Sequence, residues 1–246
     1  MKSYMGVSGD YYERAHGSRH KSQGFFYETR EDYMLQFMGL GGREKIIDVG
    51  CGSGTFSRAL AQKYPNAKIT GSDISKSAIS FARKKAGDEK LGNARFICAS
   101  ISSLPVKSGS FDVAVVSHLI EHVENPENDL REINRALRRN GTLILTTPNY
   151  LSLWPLAEMV FDRTMAEKNY SLDEQHISRF TASSIKKPVE STGFEIESLK
   201  TLYIFSLGAA VLSRRLGEAL FALDKALDSL PIGMVVYLKA RKIRDL

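Results

Sequence analysis

The chain reads as an α/β protein built on a doubly wound, mostly parallel sheet of seven strands, with a helical N-terminal segment and a lid insertion. Three observations predict it. Short apolar runs alternate with helical spacing from residue 45 to residue 147, the order of a parallel sheet covered on both faces. A glycine-rich turn, Gly50-Cys51-Gly52-Ser53-Gly54, follows the first of those runs. A carboxylate, Asp73, closes the second.

Taken in order, residues 1–42 are polar and aromatic (Tyr4, Tyr11, Tyr12, Phe25, Phe26, Tyr27, Tyr33) and read as one or two helices ending at Gly39, Gly41 and Gly42. Residues 45–49 form a short apolar strand. Residues 53–64 carry Phe56, Leu60 and Tyr64 at helical spacing, and Pro65 closes that helix. A second strand spans 67–72, and a helix over 75–86 has Ser75 as its N-cap. Strands follow at 94–99 and 111–117; the latter is the most apolar and is expected to be central. Asn125 caps a helix over 126–138 with Pro126 at its first position, Asn140-Gly141 ends it, and 142–147 is the fifth strand. The rhythm then breaks. Residues 150–180 are too long for a turn and read as a lid, with Trp154, Met159, Phe161 and Met165 in its apolar part. A helix is expected over 181–192 with Thr181 as its N-cap, kinked or shortened by Pro188. A sixth strand is expected over 194–203 and a final one over 233–240. Between them, 207–229 reads as one helix with Leu212, Leu216, Leu220, Leu223 and Leu227 on one face. The whole is a single Rossmann-like domain: cover 1–42, core 43–149, lid 150–180, and a C-terminal part 181–246.

Composition sets the class. Among 246 residues, 43% are hydrophobic and 25% charged, an ordinary globular balance that can bury its own core. Two cysteines, Cys51 and Cys98, make no disulfide framework and read as reduced thiols in or near the core, which points to a cytoplasmic setting. No stretch of ~18 apolar residues is present to span a membrane, and the N-terminus lacks a signal-peptide core. The formal charge of +6 is spread along the chain, which describes a solvated surface rather than a nucleic-acid groove.

The turn carries the chemistry. Glycines at 50, 52 and 54 let the backbone bend sharply and approach a ligand, and the helix behind them points free N–H groups at it. Asp73 stands where a carboxylate accepts ribose hydroxyls. A dinucleotide fingerprint would place its third glycine at position 55, which is Thr55. Asp48, two residues before the first glycine, would repel a pyrophosphate and attract a cationic amino group.

With those residues in hand, the chain resembles the class I methyltransferases that use S-adenosylmethionine, and in particular the small-molecule group that includes the ubiquinone-biosynthesis enzymes. The resemblance covers about residues 43–203. It rests on an ordered set: Asp48 to Gly54; Asp73; Leu104-Pro105 and Phe111-Asp112; Glu121-His122-Val123; Asn140-Gly141; Thr147-Pro148-Asn149; His176, Arg179, Phe180 and Thr181; and Gly193-Phe194. It implies S-adenosylmethionine as cofactor. Gly50, Cys51, Gly52 and Gly54 would wrap its methionine and ribose, with Asp48 near the amino group. Asp73 would take the ribose hydroxyls, Ile74 would pack on adenine, and Ser100 and Ile101 would meet the adenine edge. Relatives usually carry Asp at the position of Ser100, which leaves that contact to the Ile101 backbone. Ser117 and His118 would lie beside the methionine, and Tyr12 or Tyr11 would close over it.

Methyl transfer from a sulfonium needs alignment and, for oxygen acceptors, a base or a metal. His118, Glu121 and His122, at offsets of three and four, and His176 at the end of the lid are the catalytic candidates. The resemblance places Glu, Glu and His at 118, 121 and 122, a set that can hold magnesium. His118 departs from it, and no metal is assigned. His16 and His20 read as solvated surface. The apolar lid and the 207–229 helix suggest a small hydrophobic acceptor, with peripheral lipid contact through 207–229 and a monomer or homodimer. A nicotinamide-dependent oxidoreductase and a cofactor-binding scaffold without turnover are the rival readings. No nucleic-acid partner is expected, because the Asn/Asp-Pro-Pro-aromatic grip on a flipped base is missing.

Overall fold

The computed structural model describes residues 21–164 and 176–246. Tyr11, Tyr12, His16, His20 and Met165 lie outside those residues. Helix α1 (Lys21–Met38) ends at Gly39, whose φ is 63°. The core then alternates β1 (Lys45–Val49), α2 (Thr55–Lys63), β2 (Lys68–Asp73), α3 (Lys76–Asp88), β3 (Ala94–Cys98), β4 (Phe111–Ser117), α4 (Pro126–Ala136) and β5 (Leu137–Pro148). The lid helix α5 (Trp154–Thr164), a short α6 (Lys186–Ser191), β6 (Phe194–Leu202), the pair α7 (Ser206–Leu212) and α8 (Arg214–Ala226), and β7 (Val235–Lys242) complete it. The strands form one seven-stranded sheet in the order β3-β2-β1-β4-β5-β7-β6. The first five are parallel, and β7 runs antiparallel between β5 and β6.

The sheet is buried on both faces, and β4 shows how. Val113 and Val115 join a core with Phe25 and Met34 of α1 and Phe56 and Leu60 of α2. Ala114 and Val116 join another with Leu130, Ile133 and Ala136 of α4. A strand apolar at consecutive positions is what two covered faces require. The caps read from the sequence at Ser75 and Asn125 hold. Ser75 Oγ accepts from Ala78 N at 3.2 Å, and Asn125 Oδ1 accepts from Asn128 N at 3.1 Å with Pro126 opening α4.

Four expectations are corrected. Helix α4 stops at Ala136, and β5 begins at once, so Asn140-Gly141 is a kink inside β5 rather than a helix end. There the register against β4 slips and Asn140 takes φ 59°, the irregularity of a β-bulge. Second, the helix expected over 181–192 is only α6. Thr181 instead makes a hydroxyl-capped turn (Ser184 N to Thr181 Oγ1, 3.0 Å), which leaves Pro188 in the first turn, where its missing N–H costs nothing. Third, 207–229 is two helices, broken where Ser213 is extended. The break resets the helical phase. Asp224, fully buried, folds α8 back to cap α7 through Phe205 N, Ser206 N and Ser206 Oγ, and Gly217 sits against Ala210. The leucine face therefore turns outward: Leu212 is 82% exposed, and Leu216 and Leu223 nearly half. Fourth, Cys98 is exposed rather than in the core.

Candidate active site

Strands β1 and β4 are neighbours, yet the chain leaves β1 outward through β2 and β3 before returning to β4. Their carboxyl ends face a crevice at the switch point of the sheet, where open α/β folds bind ligands. Gly50, Gly52 and Gly54 have φ of 74°, 52° and 71°, the left-handed region. A Cβ on Gly50 would lie 2.8 Å from Leu119, and one on Gly54 2.6 Å from Phe96. At Gly52 it would meet nothing within 4 Å, so the backbone there borders open space.

The turn is tied to β2. Gly50 N and Cys51 N both donate to Ser72 O, and Gly52 N donates to Asp73 Oδ2 at 2.8 Å. The other Asp73 oxygen accepts from Ser75 N at 2.8 Å. Beside it, the apolar side chain of Ile74 stands 60% exposed. Ser100 is half-buried, and its hydroxyl accepts from Ser102 N at 3.3 Å. The Ile101 side chain belongs to the core, so only its backbone is available to a ligand.

Asp48 is buried beneath the turn and accepts from Ser57 Oγ at 2.6 Å. Burial pushes its carboxyl up to about 6 against the pull of the Ser57 hydroxyl; Asp73 adds to the rise and Arg30 opposes it. Burial, with Asp48 and Asp73, pushes the Cys51 thiol far up, which removes it as a nucleophile.

At the end of β4, Ser117 Oγ lies 3.0 Å from Thr146 Oγ1. His118 takes φ 49° while its N–H donates to Thr146 O at 3.0 Å. That left-handed step, followed by a 3₁₀ turn at Ile120–His122, sets His118 Nδ1 3.2 Å from Glu121 Oε1. Glu121 is fully buried, and Thr147 Oγ1 donates to its Oε2 at 3.2 Å. Burial holds the His118 ring below its ordinary range although Glu121 pulls the other way. Burial pushes Glu121 up, but the contact and charge of His118 carry it below the usual carboxylate range.

A model of methyltransferase domains matches residues 41–200. The chain belongs to the methyltransferase domain family. It is a class I S-adenosylmethionine-dependent methyltransferase, and S-adenosylmethionine is its cofactor. The ubiquinone biosynthesis O-methyltransferase of Coxiella burnetii is 28% identical over 191 residues, 74% of this chain and 80% of that protein. The malonyl-acyl-carrier-protein O-methyltransferase of Legionella pneumophila is 35% identical over 113 residues, but the match spans only 39% of that protein and 46% of this chain. Among solved structures, a putative methyltransferase from Bacillus halodurans superposes with TM-score 0.62 at 19% identity, covering 88% of this chain and all (100%) of that one. The cyclase SpnF superposes with TM-score 0.63 at 22% identity, covering 87% and 80%. At such identities the structures speak for the fold alone, and the cyclase shows that this fold leaves the chemistry open.

The rest of the methyltransferase crevice is walled by residues the sequence did not single out. Arg30 of α1 stands over the Phe26 and Tyr27 rings, 5.5 and 5.2 Å from their centres, and its charge acts on both Asp48 and His118. Phe26, four residues before it, lies 6.2 Å from the His118 ring and 5.1 Å from Tyr203. On the lid side, His176 is buried with Nδ1 2.6 Å from Glu158 Oε1 of α5 and 2.7 Å from Tyr150 Oη, while the Tyr150 hydroxyl also reaches both Glu158 oxygens. This network joins the two described ends of the lid. The rings of His122 and His176 lie 4.9 Å apart, and ligand atoms of Glu121, His122 and His176 all lie within 4.8 Å of one another, the one such grouping among the described residues that could hold a metal ion. All four catalytic candidates are therefore brought together, but His118 pairs with Glu121 while His122 turns toward His176. Helical spacing within α1 could have flagged Phe26 and Arg30. Nothing local in the sequence marks Glu158 or Tyr150 as partners of His176.

Proposed function

We propose that this chain transfers a methyl group from S-adenosylmethionine to a small apolar acceptor held between the carboxyl end of β4 and the lid. One observation carries the cofactor half: three left-handed glycines, open at Gly52, hydrogen-bonded to a carboxylate that ends the next strand. In this reading the ribose hydroxyls meet Asp73, adenine lies on exposed Ile74 with Ser100 and the Ile101 backbone at its edge, and the methionine lies along Gly50, Cys51, Gly52 and Gly54 toward Ser117 and His118. Asp48 faces the ammonium, and Arg30 takes the carboxylate, a charge pairing for each end of the amino acid. The cofactor supplies an electrophilic methyl on a good leaving group, so the protein's work is alignment and proton handling.

The acceptor half rests on the lid, where Leu151, Leu153 and Leu156 are more than half exposed around Trp154. Two relatives being named O-methyltransferases favours an oxygen acceptor. The outward leucines of α7 and α8 favour peripheral contact with a lipid surface. No helix among the described residues is long and apolar enough to cross a membrane. We take 1–246 as one catalytic unit working in the cytoplasm.

Calorimetric titration with S-adenosylmethionine, S-adenosylhomocysteine, NAD and NADP tests the cofactor site. Micromolar binding of the two sulfur nucleosides alone, lost in Asp73→Ala, is the expected result. Binding of a nicotinamide cofactor, or an undiminished affinity in the variant, would refute the assignment of the site.

A further inference from the structure

Besides Glu121 Oε1, which lies 3.2 Å from His118 Nδ1 without a hydrogen bond, two polar atoms in the crevice are buried without a partner: Nε2 of His118 and Nε1 of Trp154. The centres of the two rings lie 6.3 Å apart, with their planes tilted by 39°. Burying such a group unpaired costs about 1–3 kcal/mol, and two of them on neighbouring side chains call for a common partner.

Their hydrogen-bond senses are opposite. An indole nitrogen can only donate. The Glu121 carboxylate lies 3.2 Å from His118 Nδ1, and its negative charge favours the tautomer with the hydrogen on Nδ1, which leaves a lone pair at Nε2. A missing ligand must then accept from Trp154 and donate to His118. A hydroxyl does both with one atom. A neutral primary or secondary amine can also do both, but its N–H is a weaker donor to His118 than an O–H; a tertiary amine cannot donate, and a carbon acceptor satisfies neither nitrogen.

The surroundings agree. Phe26 lies 6.2 Å from the His118 ring, and the Trp154 ring lies 6.4 Å from that of His176, so the walls are aromatic. Leu119, next to His118, abuts Gly50 of the turn, which places the pair beside the methionine end of the cofactor. We propose that His118 and Trp154 grip the hydroxyl of an aromatic or similarly apolar acceptor, Trp154 selecting oxygen and His118 accepting its proton. This rests on the cofactor reading given above. In the step, a lone pair of the acceptor oxygen bonds the methyl carbon while the C–S pair returns to sulfur, and the hydroxyl proton passes to Nε2. The product is a methyl ether, a neutral thioether and an imidazolium. Glu121, buried against Nδ1, balances the new charge. Glu121 is a positioning residue: it sets the tautomer without touching the acceptor.

Trp154 is the sole tryptophan of the chain, so a single indole N–H signal in a nitrogen–proton correlation spectrum reports the site directly. The test titrates ¹⁵N-labelled protein, with and without S-adenosylhomocysteine, using para-cresol, para-toluidine and para-xylene, three probes of one shape. The expected result is a saturable downfield shift of the indole proton with para-cresol and at least tenfold weaker binding of para-xylene, a preference of the kind a hydrogen-bonding site shows for a hydroxyl. The cresol-to-xylene affinity ratio should fall to about one in His118→Asn, asparagine being tolerated at positive φ. It should fall likewise in Trp154→Phe, read there by calorimetry. Because the ratio is internal, a general loosening of the pocket cancels from it. A ratio near one in the wild type, para-toluidine binding as tightly as para-cresol, or a ratio unchanged in both variants would overturn the proposal. Failure of S-adenosylhomocysteine to bind would instead count against the cofactor reading, since the cresol titration is also read without it.

Discussion

At the scale of single residues, Asp48 carries the sharpest consequence. It is an acid buried beneath a turn that already holds Asp73, and its carboxyl is pushed up to about 6 from an ordinary 3.8. The folded state therefore holds this proton more tightly than the unfolded chain. Its contribution favours folding below about pH 4 and is lost as pH rises toward 6, a difference of about 3 kcal/mol. Asp48→Asn keeps an acceptor for Ser57 and removes the titration. Urea unfolding of the free protein should show the variant more stable than wild type at pH 8 by roughly that amount, with the two converging near pH 4. Equal stability at both pH values would mean that Asp48 is better solvated than its burial indicates. If the cofactor ammonium offsets this carboxylate, S-adenosylhomocysteine should raise the melting temperature of wild type more than that of the variant.

The three turn glycines share a sign of φ but not a reason for being glycine. A Cβ at position 54 drives into Phe96 and Ala82, so Gly54→Ala combines backbone strain with overpacking and should cost about 2–4 kcal/mol of stability. At Gly52 the space is open, and only the backbone term of about 1 kcal/mol applies. Thermal unfolding of the two variants should separate them by several degrees. Binding should reverse the order of interest: Gly52→Ala, nearly native in stability, is expected to lose cofactor affinity because its methyl projects where the ligand approaches. A Gly52→Ala variant that binds normally would remove that stretch of backbone from the cofactor site.

At the scale of elements, the α7–α8 pair shows how one buried residue overrides periodicity. Read as sequence, 207–229 is a single amphipathic helix. Asp224, which a helical wheel treats as one polar position among others, instead reaches back to three donors at the start of α7. Asp224→Ala strands those donors and should cost about 3 kcal/mol or more. Gly208, within α7 and with nothing near an added Cβ, should tolerate alanine and gain about 0.5–1 kcal/mol. Denaturant midpoints of the two variants should therefore move in opposite directions. The lid behaves similarly. Its start could be read as apolar spacing, but its attachment depends on Tyr150, Glu158 and His176 meeting across an interval of 26 residues, a closure no local pattern announces.

At the scale of the whole molecule, a basic chain (+6) presents exposed Val211, Leu212, Leu216 and Leu223 on one helical pair, with Leu151, Leu153 and Leu156 exposed on the lid. If α7 and α8 touch lipid, co-sedimentation with phosphatidylglycerol-containing vesicles should exceed that with neutral vesicles, fall with added salt, and drop severalfold in Leu212→Glu. Equal recovery of wild type and Leu212→Glu would leave the patch without a lipid role.

The sequence by itself determined the alternating order of elements, the central place of β4, the glycine turn and Asp73 at adjoining strand ends, and hence the family and cofactor. These depend on local periodicity, on capping chemistry and on glycine's access to positive φ, all written within a few residues of where they act. Only the tertiary structure decided that His118 pairs with Glu121 while His122 faces His176, that Arg30 stands near Asp48, that α7 and α8 turn their leucines outward, and that His118 and Trp154 hold two unpaired nitrogens of opposite sense. Each joins side chains on different elements or depends on a backbone step such as the left-handed His118, and such distances are set by packing across the sheet, where sequence spacing carries no information.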